Sequence, residues 1–166
     1  MNVFDIQRLL PRKEHIMNDF MKAALDEAYK GIRADDGGPF GCVIVKDGKI
    51  VGRGHNCVLK EKDPTLHGEM VAIKDACKNL GTYDLTGCEL YTTAQPCPMC
   101  LGAILWAKIE KVYYGCNIND TDKIGFRDEV FYKMLGGEEP IPTECIDRDA
   151  CLELFGEYGE KEREIY

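Results

Sequence analysis

The sequence contains no apolar run near the ~20 residues that a membrane-spanning helix requires. Its first residues lack a basic segment followed by an apolar one, so we expect no signal peptide. Positive charge is also scarce, because 21 Lys and Arg stand against 29 Asp and Glu and give a formal net charge of −8. Since nucleic-acid binding depends on clustered Lys and Arg, we expect neither a membrane nor a nucleic acid as partner.

Internal repeats, low-complexity tracts and domain linkers are missing as well. A chain of 166 residues can bury one core, and we expect a single domain over residues 1–166. Nine cysteines without an export signal favour free thiols in a reducing cytoplasm over disulfides. Cys42 and Cys77 fit small buried apolar positions. The pattern gives no role to five others: Cys57, Cys88, Cys116, Cys145 and Cys151.

Hydrophobic periodicity predicts strands that alternate with helices after an opening hairpin. The predicted strands are 40–46, 50–56, 89–93, 111–115 and 143–146, and the predicted helices are 15–32, 67–79, 96–106, 129–135 and 150–158. This order predicts a mixed sheet with helices on both faces. Residues 1–14 form an N-terminal arm in this interpretation, and 116–140 a long polar connection.

Three local signals refine this prediction. Asp47-Gly48 is typical of a tight hairpin turn. Two glycines in the second strand mark a place that another element approaches closely. In the first helix, one broad apolar stripe is predicted, which consists of Ile16, Phe20, Ala23, Ala24, Tyr29 and Ile32.

Two short segments carry the chemistry, Thr-Leu-His-Gly-Glu at 65–69 and Gln-Pro-Cys-Pro-Met-Cys at 95–100. Together they read H-x-E followed by P-C-x-x-C, the known signature of zinc deaminases. His67, Cys97 and Cys100 would supply one imidazole and two thiolates to a catalytic zinc ion, one per chain, which keeps a fourth position for water. Zinc lowers the pKa of such a water towards about 7, and Glu69 lies close enough in sequence to carry its proton.

Two other interpretations of these residues remain open. A structural zinc site would need a fourth ligand, and Cys88 or Cys116 could provide it. Alternatively, the cysteines could be reduced core residues without a metal. The offset of Glu69 and the position of Pro96 favour the catalytic site. Because each segment follows a predicted strand, we expect the ligands at the same end of two adjacent strands.

Beyond these two segments, the chain resembles the cytidine deaminase-like superfamily from about residue 15 onward. GGPFG at 37–41, H-G-E at 67–69 and PCPMCLGAI at 96–104 carry the resemblance. Within the superfamily the chain is similar to the small bacterial guanine deaminases. The features shared with them are Asn56, Trp106, the Gly-Phe-x-Asp run at 125–128 and the final Tyr166. The resemblance implies a three-layer αβα sandwich with a five-stranded mixed sheet, and a homodimer whose tail, residues 159–166, crosses to the partner subunit.

The resemblance also implies roles in substrate binding. Asn56 would hold a polar edge of the base, Phe40 and Trp106 would wall the ring, and Asp128 would hydrogen-bond the guanine edge. Tyr166 would cap the partner's pocket. Without the resemblance, these residues suit a turn, the core, a helix cap and a frayed terminus respectively.

Two positions depart from the guanine deaminase pattern. Gly68 stands where Ala is usual, and because cytosine deaminases of the same superfamily carry Gly there, we include Gly68 among the residues that could affect substrate choice. Gln95 stands where Glu is common.

The sequence therefore predicts a zinc-dependent hydrolase that converts guanine and water to xanthine and ammonia. Zinc hydroxide would be the nucleophile and Glu69 the proton shuttle. The alternatives are a deaminase of cytosine, guanosine or another small ring, a tRNA adenosine deaminase, and a zinc-binding protein without activity.

Overall fold

The computed structural model describes residues 17–136 and Arg148. The helices are α1 (Asp19–Arg33), α2 (Val58–Glu61), α3 (Gly68–Leu80), α4 (Pro98–Trp106), α5 (Ile118–Lys123) and α6 (Asp128–Leu135). The strands are β1 (Gly41–Lys46), β2 (Lys49–His55), β3 (Cys88–Ala94) and β4 (Lys111–Cys116). The predicted arm at 1–14, strand at 143–146, helix at 150–158 and tail at 159–166 lie outside the described residues.

The described strands form one mixed sheet in the order β2-β1-β3-β4. β1 pairs antiparallel with both β2 and β3, whereas β3 and β4 are parallel. The predicted hairpin is confirmed: Lys46 pairs with Lys49, and Asp47 and Gly48 both have positive φ, 49° and 72°. Positive φ at both central residues is typical of a two-residue turn whose twist matches the strands.

Helices cover both faces of the sheet, as the sequence predicted. On one face, Val43, Val45 and Tyr91 pack against α1 residues that include Phe20. On the other face, Cys42, Ile44 and Leu90 pack against α3 and α4 in a larger core cluster. Alternate β1 residues thus face opposite layers, since side chains alternate across a strand. Among the described helices, none combines the length and apolar character needed to cross a membrane.

The predicted apolar stripe on α1 is wrong at two positions. Tyr29 and Ile32 are 49% and 39% exposed, and the buried residues of α1 are Ala24, Ala28 and Gly31. The reason is the short distance between α1 and β1: a Cβ on Gly41 would lie 2.1 Å from the Ala24 carbonyl oxygen. Only small residues fit between backbones this close. The helix also begins later than predicted, at Asp19, where the Asn18 side chain caps the backbone N–H groups of Phe20 and Met21.

A second correction concerns the predicted connection at 116–140. It contains the short helix α5, which begins with a reciprocal capping box between Asn117 and Asp120. The predicted helical piece at 129–135 is present as α6 and begins one residue earlier. The segment between the end of β4 and α6 is therefore ordered structure that faces the site described below.

The two glycines of β2 contact helix α3 directly. The sequence predicted that another element approaches β2 closely at these glycines. A Cβ on Gly54 would lie 2.5 Å from the Ala72 nitrogen and 2.6 Å from the Gly68 carbonyl oxygen, while Gly52 meets Ala72 and Ala76. The backbone of α3 therefore rests directly on β2. This contact fixes the depth at which the first turn of α3 sits.

We predict that Gly54→Ala destabilises the protein by about 1–3 kcal/mol or more, because the added methyl group overlaps α3 backbone atoms. Urea unfolding monitored by circular dichroism measures the change. Gly102→Ala is the matched control, since no described atom lies within 4 Å of a Cβ at Gly102 and alanine is the better helix former. Equal stability of Gly54→Ala and the unchanged protein would contradict the direct backbone contact.

Candidate metal and catalytic site

The three predicted metal ligands lie at the N-termini of two helices. His67 is the N-cap of α3 and Cys97 the N-cap of α4, both with extended backbone, and Cys100 lies in the first turn of α4. Both helices follow the carboxyl ends of strands that run in the same direction, β2 and β3. These strands are not adjacent, contrary to the prediction, because β1 lies between them. The start of β1 is therefore brought into the site.

The ligand atoms are spaced as zinc requires. His67 Nδ1 is 3.6 Å from Cys97 Sγ and 3.5 Å from Cys100 Sγ, and all three donor atoms lie within 4.8 Å of one another. Tetrahedral geometry with Zn–N of about 2.0–2.1 Å and Zn–S of about 2.3 Å places such atoms about 3.6 Å apart. The donor set and its spacing thus fit zinc without rearrangement.

Neither of the proposed fourth ligands reaches these three residues. Cys88 lies in the core at the beginning of β3, the opposite end of the strand from Cys97. Cys116 is exposed at the end of β4. Among the described residues the metal cluster has three members, which is the ligand count of a catalytic zinc site.

The two cysteines divide one negative charge unequally. A hydrogen bond from Cys100 lowers the pKa of Cys97 to about 4, and burial opposes that effect. The same contact and burial raise the pKa of Cys100 well above its usual range. A second thiolate therefore requires a nearby cation, and a bound divalent metal supplies that charge.

Glu69 lies beside the metal ligands in the first turn of α3 and is 5% exposed. The hydroxyl of the buried Thr92 donates to Glu69 Oε1 at 3.2 Å, and Cys100 Sγ lies 3.5 Å from Oε2. Burial is the main cause that raises the pKa of Glu69. A carboxyl with a raised pKa and a fixed position is suited to accept and return a proton.

A cavity of about 270 Å³ opens onto His67, Glu69 and Cys97. It brings in three residues predicted to bind substrate, which are Phe40, Asn56 and Asp128. Sequence reasoning missed seven other residues of its wall: Gly38, Val58, Leu59, Pro64, Ala94, Gln95 and Phe126. Phe126 and Gln95 lie within two segments that the sequence analysis singled out, although it gave neither a place in the cavity wall. Val58 and Leu59 in α2, and Pro64 after it, carry no local signal of this kind.

Asn56 is held in one orientation by the backbone. Its Oδ1 accepts hydrogen bonds from Gly38 N at 3.3 Å and Val58 N at 3.1 Å, and the side chain is part of the cavity wall. Because both partners are donors, the oxygen and nitrogen ends of the amide are distinguished. The NH₂ group is therefore the end available to a ligand acceptor.

Two aromatic rings and one carboxyl form another part of the wall. Phe40 and Phe126 meet edge to face with ring centroids 4.8 Å apart. Gly38 permits this contact, since a Cβ there would lie 2.8 Å from the Phe40 ring and 2.9 Å from the Phe126 ring. Asp128, the first residue of α6, has a pKa raised by burial and then by the nearby Cys97 charge.

Two predicted substrate residues in the described part of the chain, Trp106 and Gly68, do not line the cavity. Trp106 is 65% exposed at the end of α4, about 14 Å along the helix from Cys97 at ~1.5 Å per residue. Gly68 instead allows the start of α3 to approach β1, because a Cβ there would lie 2.9 Å from the Phe40 carbonyl oxygen. Tyr166 lies outside the described residues.

The family model for the cytidine and deoxycytidylate deaminase zinc-binding region matches residues 15–116. The chain belongs to this deaminase family. It is therefore a zinc-dependent aminohydrolase by family, and the predicted αβα architecture and enzyme class are confirmed.

Several members of the deaminase family are similar to this chain. Guanine deaminase of Bacillus subtilis is 51% identical over 116 residues, which are 70% of this chain and 74% of that protein. An X-ray structure of B. subtilis guanine deaminase matches with a TM-score of 0.84 at 42% identity and covers 90% of this chain and 99% of that one. A tRNA-specific adenosine deaminase of Aquifex aeolicus is 48% identical over 95 residues, which are 57% of this chain and 62% of that protein.

A further solved structure of the fold contains a ligand. The protein in that structure was crystallised with 2,6-diaminopurine. It is 30% identical to this chain and matches it with a TM-score of 0.63. The match covers 89% of this chain and 83% of that one. A relative of this deaminase thus binds a free purine base.

We predict that Cys97→Ser weakens zinc binding by more than ~10-fold, because it removes the ligand with the lowest thiol pKa. Elemental analysis of dialysed protein measures bound zinc per chain. Cys116→Ser is the matched control, since Cys116 is exposed and outside the metal cluster. Full zinc content in Cys97→Ser would remove Cys97 from the ligand set.

Proposed function

We propose that this chain hydrolyses guanine to xanthine and ammonia and holds one zinc ion per chain with His67, Cys97 and Cys100. The observation that carries the proposal is the cavity itself, where a fixed amide donor and a carboxylate acceptor share the wall with Glu69 and the metal ligands. The similarity to guanine deaminase in sequence and structure supports it.

The size and lining of the cavity favour a small flat ring. Its volume of about 270 Å³ is slightly below the roughly 300–1,000 Å³ typical of ligand pockets. The rings of Phe40 and Phe126 supply apolar surface, and aromatic side chains pack well against the face of a base. Such a cavity suits a free nucleobase better than a nucleotide within a folded nucleic acid.

The polar groups of the wall complement guanine. Guanine offers O6 and N7 as acceptors, and the NH₂ of Asn56 can donate to that edge. The N1–H of guanine is a donor, and Asp128 can accept it when ionised. Adenine has no hydrogen on N1 and no O6, so the same pair of residues discriminates between the two purines.

Zinc, when bound, activates a water molecule and stabilises developing negative charge. Glu69 takes a proton from the attacking water and delivers it to ring N3, next to the carbon that carries the amine. It then moves a proton to the amine, which leaves as ammonia, so one guanine and one water give one xanthine and one ammonia. Thr92 holds the carboxyl in place through this exchange, because its hydroxyl donates to Oε1.

Residues outside the metal cluster orient the base. Asn56 and Asp128 hold the ring so that its C2 carbon faces the metal-ligand side of the cavity, and such orientation lowers the barrier to reaction. The edge-to-face contact between Phe40 and Phe126 gives this wall of the cavity a fixed apolar surface. Gly68 is accounted for by packing against Phe40, so it gives no specific support to cytosine as the substrate.

The test is ammonia release by zinc-loaded protein from guanine, guanosine, cytosine and adenine in parallel, with tRNA as a fifth substrate. We expect guanine to have the highest kcat/KM. Glu69→Gln is the matched variant, since it preserves shape and the metal ligands. It should keep zinc and lose a factor of about 10²–10⁴ in kcat.

Each other outcome of this experiment is informative. Preferential turnover of cytosine, guanosine or adenine would replace guanine while retaining the metal chemistry. Deamination of tRNA would favour the function of the Aquifex relative, although a net charge of −8 opposes binding to phosphates. Near-normal kcat in Glu69→Gln would exclude it as the proton carrier, and zinc binding without any turnover would support a non-catalytic protein.

We also propose that the chain forms a homodimer, and that its tail with Tyr166 completes the partner's cavity. Large apolar side chains are exposed on three elements, α4, β4 and α6: Leu105 67%, Trp106 65%, Tyr114 49%, Phe131 50% and Leu135 70%. Exposed large apolar side chains of this number are available to bury against a partner subunit, as apolar patches at interfaces do.

We further propose a cytoplasmic location. The seven described cysteines are free thiols, which a reducing compartment favours.

We predict that Leu105→Glu shifts the protein from dimer to monomer, because it places a charge in the apolar interface. Size-exclusion chromatography with light scattering measures the mass. Tyr29→Glu is the control, since Tyr29 is 49% exposed on α1, across the sheet from α4. Identical masses for Leu105→Glu and the unchanged dimer would exclude this surface.

A further inference from the structure

Helix α6 carries two residues of the site region one turn apart. Asp128 is its first residue and Tyr132 follows at i+4. Residues at this spacing lie on the same face of a helix. Tyr132 therefore lies on the same face of α6 as Asp128, which lines the cavity.

Tyr132 ties this face to the metal-binding loop. Its hydroxyl donates to the carbonyl oxygen of Pro96 at 2.6 Å, and Pro96 immediately precedes the ligand Cys97. Burial raises the pKa of Tyr132, and the neighbouring side chain of Gln95, which lines the cavity, lowers it. The phenol thus joins α6 to the segment between β3 and α4.

Few other contacts hold α6 in place. Within residues 17–136, no residue of α6 is buried, and the ion pairs near it connect only neighbouring positions, Arg127 with Asp122 and Lys133 with Glu129. The Tyr132–Pro96 bond is the hydrogen bond that connects α6 to the sheet and α4 in this described part of the chain. Its loss would leave the orientation of α6 weakly determined.

We propose that Tyr132 is a positioning residue that sets Asp128 in the substrate cavity by fixing α6 against Pro96. A rotation of α6 by a single residue, about 100°, would turn Asp128 away from the cavity. The hydrogen bond from Tyr132 to Pro96 opposes this rotation, because it holds α6 to the segment that immediately precedes Cys97. The inference deepens the proposed function, because it rests on Asp128 binding the base.

The experiment compares Tyr132→Phe with Tyr29→Phe, which removes an exposed hydroxyl on α1, a helix remote from the cavity wall. Tyr132→Phe keeps the ring and removes only the hydrogen bond. We expect kcat/KM for guanine to fall roughly 3- to 10-fold, mainly through KM, with zinc content unchanged. Tyr29→Phe should match the unchanged enzyme.

A double-mutant cycle with Asp128→Asn tests whether Tyr132 acts through Asp128. In the Asp128→Asn background, we expect Tyr132→Phe to cost less than a further ~2-fold, because the group that it positions is already impaired. An undiminished effect in that background would overturn the proposal, as would a loss of zinc that accounts for the change. Unchanged kinetics in Tyr132→Phe would overturn it too.

Hydrogen exchange provides a readout that does not depend on turnover. Tyr132→Phe should accelerate amide exchange in peptides that cover 128–135, while peptides from α3 stay unchanged. Unchanged exchange in 128–135 would overturn the inference. If the unchanged enzyme fails to deaminate guanine, the proposed substrate fails, and the exchange experiment still decides whether Tyr132 fixes α6.

Discussion

The direct contact between the α3 backbone and β2 is the constraint on which the rest of the site depends. Gly52 and Gly54 have no side chains to keep α3 away from the sheet, and Ala72 and Ala76 complete the contact. This fixes the first turn of α3, and with it His67 and Glu69. α4 starts beyond β3 on the same face, so two helix N-termini converge at one edge of the sheet. The donor spacing of 3.5–3.6 Å is the result of this packing.

The site concentrates acidic groups where water is scarce. Burial raises the pKa of Glu69 and of Asp128. The contact between the two thiols lowers the pKa of Cys97 and raises that of Cys100, so the second proton is the harder one to remove. A divalent cation relieves this repulsion, so metal binding and stability of the site are linked. The same burial that raises the pKa of Glu69 makes its carboxyl a stronger proton acceptor, which proton transfer requires. The polar contacts of Thr92 and Asn56 then fix the directions in which these groups act.

The region after β4 shows how far local patterns reach. The sequence predicted a helical piece at 129–135 and singled out Asp128, and both are found beside the cavity. It did not predict α5, because a short polar helix with one capping box has a weak hydrophobic period. Nor could it show that Phe126 meets Phe40, since the two rings are far apart in the chain and join only through folding.

The sequence by itself indicated the metal ligands, the enzyme family and the order of the strands and longer helices, because ligand types, their spacing and hydrophobic periods are local properties. Only the tertiary structure decided which distant residues share the cavity. It placed β1 between the two ligand-bearing strands and so brought Phe40 to the site. Trp106 lies outside the described cavity wall, because it is at the C-terminal end of α4 and the metal ligand Cys97 is at the N-terminal end. The tertiary structure also turned α1 so that alanines and glycine face the sheet. These outcomes depend on how closely backbones approach, and no periodic pattern in one segment contains that information.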